Sequence, residues 1–125
     1  MLRNIPVAFE IHWFELRSIT VVFFKFQVAP EIVENPKDVT IVEGEDVVFS
    51  CTVDGNPSPR VTWTKNEEKL NTTTNLQLTA SSLNNNNSLT ITNVHRSDSG
   101  QYRCVIINSV GNITSSPGDL NVQCK

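Results

Sequence analysis

Cys51, Trp63 and Cys104 constrain this chain more than any other residues in it. An indole shortly after the first of two widely spaced cysteines is what the core of a two-sheet sandwich calls for. Sheets stacked about 10 Å apart can be joined by one disulfide between their inner faces, and a large ring from a neighbouring strand fills the space beside the sulfurs. Tyr102, two residues before the second cysteine, fits the same scheme. A buried phenol at a corner between sheets can return its hydroxyl to the backbone upstream.

The pattern from Pro30 onward agrees, with short β-rich runs separated by turn residues. Val47, Phe49, Cys51 and Val53 share one face of a strand, and Asp46, Val48, Ser50 and Thr52 the other. Gly55-Asn56-Pro57-Ser58-Pro59 then forces a connection, after which Val61 and Trp63 point inward and Thr62 and Thr64 outward. Leu76 and Leu78 are expected as a further strand, Asn84 to Asn87 as a polar turn, and Leu89, Ile91 and Val94 as the next inward set. Tyr102, Cys104 and Ile106 alternate inward, which leaves Val105 and Ile107 outward, and Leu120 and Val122 close the domain. No stretch of ten or more residues has helical periodicity, and Arg96 to Gly100 is a single tight turn. The reading is all-β: a two-sheet antiparallel Greek-key sandwich.

Length and charge exclude several functions. A chain of 125 residues has room for one domain of usual size. Ten Lys and Arg against 13 Asp and Glu give a net charge of -3 with no basic stretch, which argues against nucleic acid as a partner. His95, Ser97, Asp98 and Ser99 carry the residue types of a hydrolytic triad, but within one turn they cannot form a directed relay, so no catalytic residues are expected. Two histidines and three cysteines lack metal-site spacing, and no phosphate-binding or dinucleotide glycine pattern occurs, so no metal or cofactor is expected.

Residues 1–29 differ from the rest. They hold six of the nine aromatic residues (Phe9, Trp13, Phe14, Phe23, Phe24 and Phe26) and lack turn punctuation. The apolar-rich run Ser18 to Phe24 lies between Arg17 and Lys25 and is far shorter than the roughly 20 residues of a membrane-spanning helix. Glu10 and Glu15 sit where a secretory leader would be positive, and Gln27 where a cleavage site needs a small residue. The expected organisation is an N-terminal extension over 1–29, disordered, weakly signal-like, mis-assigned or a remnant of upstream sequence, and a sandwich domain over 30–125.

The chain from about Ala29 to Gln123 resembles an immunoglobulin-like domain of the intermediate (I) set. The resemblance rests on Gly55-Asn56-Pro57 and Pro59 before Trp63, on Trp63-Thr64-Lys65, on Asp98-Ser99-Gly100-Gln101-Tyr102-Arg103-Cys104, and on Asn108-Ser109-Val110-Gly111. The interval from Trp63 to Cys104 resembles the I set more than antigen-receptor variable domains, which insert extra edge strands there. It implies a Cys51–Cys104 disulfide, with Trp63, Asp98, Gly100 and Tyr102 as structural signature residues. The same family includes intracellular muscle domains, where the two cysteines would remain buried thiols. Cys124 is left over. Its parity with Leu120 and Val122 points to an inward thiol, with an intermolecular bridge or a truncated chain as alternatives. No Arg or Lys lies between Thr72 and Leu83, so the basic partner that many family members place opposite the residue matching Asp98 is missing or comes from elsewhere.

The resemblance implies a non-catalytic extracellular or cell-surface module for protein recognition or adhesion, one unit of a larger array, with homophilic or heterophilic protein contacts. The alternatives are a structural unit of an intracellular titin-like filament and an ectodomain unit of a receptor kinase. The candidate binding face is Thr62, Thr64, Val105 and Ile107. Asn71, Asn86 and Asn112 open N-glycosylation sequons, a number that abundant Asn, Ser and Thr produce by chance, though each falls in an expected loop or strand edge.

Overall fold

The computed structural model describes residues 7–16 and 19–125, with side chains from Phe26 onward. Among the described residues eleven strands follow one another: β1 (Val7–Leu16), β2 (Ile19–Glu34), β3 (Val39–Val42), β4 (Val47–Asn56), β5 (Arg60–Lys65), β6 (Glu68–Lys69), β7 (Leu78–Leu83), β8 (Asn86–Ile91), β9 (Gly100–Ile107), β10 (Asn112–Thr114) and β11 (Gly118–Gln123). One sheet has the order β1-β2-β4-β8-β7 and the other β3-β11-β9-β5-β6, with β10 also on β9. Every pairing is antiparallel except β3 with β11. The sandwich is the all-β architecture that the alternation requires.

The parallel pair exists because the chain changes sheets between β2 and β3. Buried Pro36 lies in that crossing and has no N–H to offer a ladder. Two side chains then tie the crossing to the last strand: Asn35 Oδ1 accepts from Ser116 N at 3.0 Å, and Asp38 Oδ1 from Asp119 N at 2.9 Å. Gly118 admits the approach, since a Cβ there would lie 3.0 Å from Lys37 O, Phe49 Cε1 and Pro36 Cβ.

The inner faces close over Val47, Phe49, Cys51, Val53, Trp63, Leu89, Ile91, Val94, Tyr102, Cys104, Ile106, Leu120 and Val122, all buried. Phe49 and Tyr102 stack across the middle with ring centroids 4.9 Å apart. Burying each large apolar side chain contributes about 1.5–3 kcal/mol relative to exposure, so truncating Phe49 costs about 3–5 kcal/mol once the cavity is included.

Three local expectations are corrected. Leu76 is 97% exposed and β7 starts at Leu78, because Asn75 Oδ1 accepts from Gln77 N at 3.0 Å and holds a turn there. The polar turn is only Asn84-Asn85, with φ of 49° and 64°, the pair of positive values that a two-residue hairpin loop demands and Asn tolerates. Asn86 and Asn87 belong to β8, where Asn87 is buried with its Nδ2 donating to Cys51 O and Asn85 O, both at 3.4 Å. Cys124 follows the end of β11 and is exposed, because strand parity ceases to bury a side chain where no second sheet continues.

The N-terminal segment is strand over the residues described. β1 pairs with β2 from Val7 opposite Val28 to Leu16 opposite Ile19, and β2 then runs along β4 from Val28 opposite Asn56 to Glu34 opposite Thr52. One continuous strand therefore crosses the division expected after Ala29, in a stretch rich in β-branched and aromatic residues. Residues 1–6 and 17–18, and the side chains of Phe9, Trp13, Phe14, Phe23 and Phe24, lie outside the described residues.

Candidate functional site

Cys51 on β4 and Cys104 on β9 are disulfide-bonded across the two sheets, fully buried, with Cα atoms 6.6 Å apart. Trp63 pairs directly with Cys104 in the β5–β9 register, which sets the indole beside the bridge. Closing a loop of this length removes about 4 kcal/mol of denatured-chain freedom on the chain-entropy account.

The corner before β9 is held by Asp98. Tyr102 donates its hydroxyl to the Asp98 carbonyl, and Asp98 Oδ2 accepts from His95 N at 2.7 Å and from Gln77 Nε2 at 3.0 Å. Gln77 also donates to Asn93 O at 3.2 Å. The partner missing from the cations of this chain is thus a neutral amide. Burial pushes the Tyr102 phenol well above its usual range, and the neighbouring Asp98 carboxylate adds to the shift. A Cβ at Gly100 would come within 2.9 Å of Asn66 Oδ1, the oxygen that accepts from Gln101 N at 3.0 Å, so a side chain there would displace the Asn66 amide. The side chains of Asp98 and Ser99 are engaged with backbone N–H groups, Ser99 Oγ with Val122 N at 3.0 Å, and Ser97 O accepts from Lys65 Nζ at 2.6 Å. These contacts hold the turn together. No group of three metal-ligating side chains occurs among the described residues.

The outward face of β5, β9 and β10 is built in rows. Register places Arg60, Ile107 and Asn112 side by side, then Thr62, Val105 and Thr114, then Thr64 and Arg103. Ile107 is 49% exposed, and Val105, Thr62 and Thr64 are half-buried. The four residues expected on one face do share it. Beside them a depression is lined by Pro57, Ser58, Arg60, Ile107, Asn108 and Ser109.

Sequence reasoning left out two supports of this face. Asn108 donates Nδ2 to Val28 O at 2.7 Å and Pro57 O at 3.1 Å, while its Oδ1 accepts from Val110 N and Gly111 N, so one amide fixes the rim of the depression. Ser115 is buried where β10 gives way to β11, and its Oγ accepts from Cys104 N at 3.0 Å in place of a ladder carbonyl. Pro117, which interrupts that edge, was the available signal. Of the sequon asparagines, all exposed, Asn71 lies in the loop after β6, Asn86 on β8 of the opposite sheet, and Asn112 on β10.

Comparisons with known proteins agree with this architecture. The immunoglobulin I-set domain family matches residues 30–118. Sidekick-2 of Mus musculus is 38% identical over 95 residues, 76% of this chain and 4% of that protein. A peroxidasin homolog of Homo sapiens is 32% identical over 84 residues, 67% of this chain and 6% of that protein. Titin of Drosophila melanogaster is 36% identical over 88 residues, 70% of this chain. The chain therefore spans a small fraction of the curated relatives it matches. Among solved structures, a chimeric titin Z1Z2 superposes with a TM-score of 0.72 at 27% identity, over 79% of this chain and 98% of the other. A titin M10 and obscurin-like 1 Ig complex gives 0.72 at 25% identity, over 78% and 96%. With the bridged sheets, the buried indole and the tyrosine corner in place, the chain belongs to the immunoglobulin I-set family.

Proposed function

We propose that this domain is an extracellular, non-catalytic recognition module, one unit of a larger array, that meets a protein partner through the outward face of β5, β9 and β10. The observation that carries the reading is the buried Cys51–Cys104 disulfide, a bond that persists in oxidising compartments and is rare in the cytosol. The face supplies Ile107 and Val105 among Thr62, Thr64, Arg60 and Arg103, an apolar centre within a polar rim. The similarity to sidekick-2 supports use in an array. Asn71, Asn86 and Asn112 are the sites where such a module would carry glycans.

The second reading is a structural unit in an intracellular filament, favoured by the similarity to titin domains, among them titin domains Z1Z2 solved in complex with telethonin. Redox state separates the two. Differential alkylation and mass spectrometry of the native protein should find Cys51 and Cys104 joined. Free thiols at both positions would move the assignment to the intracellular reading.

A further inference from the structure

We infer that Asn112 is a glycosylation site whose oligosaccharide lies over Ile107 and Val105, so that its occupancy decides whether the β5–β9–β10 face is open to a partner. The inference rests on the extracellular reading and adds to it a means of regulation. Asn112 stands directly opposite Ile107 in the register, and Thr114, which completes its sequon, stands directly opposite Val105. Cross-strand neighbours have Cβ atoms about 4.5–5.5 Å apart, and successive rows on one face are separated by roughly 7 Å along the strand. The sequon is thus laid on the two most apolar rows of the face, within reach of the first sugar rings. The Asn112 side chain is exposed, and no hydrogen bond among the described residues uses it.

The other sequons lie away from this face. Asn86 also stands opposite an exposed apolar residue, Leu83, but on the opposite sheet, and the Ser88 that completes its sequon stands between Ser50 and Ser81 with no second apolar row. Asn71 lies in the loop after β6, its Oδ1 already accepting from Thr73 N, Thr73 Oγ1 and Thr74 N. Attachment at Asn112 follows the ordinary chemistry of the modification. The amide nitrogen forms a bond to C1 of the first sugar of a lipid-linked oligosaccharide donor, the bond from C1 to the lipid diphosphate breaks, and the amide proton leaves as the diphosphate departs. Sugar rings present C–H surfaces that can cover Ile107, half of whose surface otherwise faces water.

The test uses the full chain secreted from mammalian cells behind an added leader. Glycopeptide mass spectrometry reads occupancy, and hydroxyl-radical footprinting reads the exposure of Ile107 and Val105. Thr114→Ala removes the sequon while keeping the asparagine, Asn112→Gln removes the attachment atom, and Asn86→Gln serves as a control on the other sheet. The expected result is an occupied Asn112, with oxidation of Ile107 several-fold higher in both Thr114→Ala and Asn112→Gln and unchanged in Asn86→Gln. A vacant Asn112 in the folded secreted protein, or equal oxidation with and without its glycan, overturns the inference. Sedimentation velocity of the same samples, with a second copy of the chain as the probe, reports separately on homophilic recognition. Self-association only in the unglycosylated variants supports both readings; none in any sample counts against homophilic recognition and leaves the shielding result to stand on the footprint. Localisation is decided independently, by the thiol state of the native protein.

Discussion

Gln77 donates its side-chain amide to the Asp98 carboxylate at 3.0 Å, so a neutral residue occupies the place where a cation is expected. A hydrogen bond to a charged group contributes about 1.5–3 kcal/mol, more than a neutral pair. Gln77→Leu should therefore lower stability by about 1–2 kcal/mol. Gln77→Arg should be tolerated or slightly stabilising, with a gain that fades in high salt. Urea unfolding midpoints at low and high salt check both.

Tyr102 is the single tyrosine of the chain, so alkaline absorbance titration reads it alone. Its phenol titrates above the ordinary tyrosine value of about 10 in the folded state, raised first by burial and then by Asp98. The unfolded chain releases that proton at lower pH than the folded one. Stability is therefore intact below about pH 10 and falls as pH rises beyond it, by up to about 1.4 kcal/mol per unit. The wild type should show phenolate absorbance only as it unfolds, and Tyr102→Phe should flatten the alkaline loss. A reversible titration of the folded protein near pH 10 would contradict this.

Ser115→Ala should destabilise by about 1–3 kcal/mol, because it leaves the Cys104 N–H buried without its acceptor. Ser116→Ala, at an exposed neighbour, should change stability by less than about 0.5 kcal/mol. Equal midpoints for the two would assign Ser115 no structural role.

Ile107→Glu should weaken partner binding or self-association of unglycosylated protein while shifting stability by less than about 0.5 kcal/mol. Val105→Glu, half-buried, should weaken association too, at a cost of about 1 kcal/mol or more. If both variants fold and associate normally, recognition lies elsewhere, with the depression between Pro57 and Ser109 the next surface to test.

Deleting residues 1–25 should leave the thermal midpoint nearly unchanged, because the backbone acceptors for Asn56 and Asn108, the carbonyls of Phe26 and Val28, are retained. Deleting residues 1–28 removes both acceptors and should cost about 1–2 kcal/mol more. A large fall with the shorter deletion would show that the hairpin of β1 and the first part of β2 contributes to the sandwich.

The sequence by itself determined the inward faces. Val47, Phe49, Cys51 and Val53, and then Tyr102, Cys104 and Ile106, are buried as their alternation requires, because a strand that packs on one side must sort its side chains by parity. Cys51, Trp63 and Cys104 likewise announced a bridged sandwich, since few other arrangements place an indole beside two cysteines in a β-rich chain. Parity carries no information about where a strand starts or stops, which is why Leu76 and Cys124 are exposed despite standing in register with buried neighbours. Nor does it name partners distant in sequence. That Gln77 would meet Asp98, that Ser115 would complete the hydrogen bonding of Cys104, and that Asn112 would stand opposite Ile107 depended on strand register. Register is set by the packing of the two sheets as a whole, so only the tertiary structure could decide it.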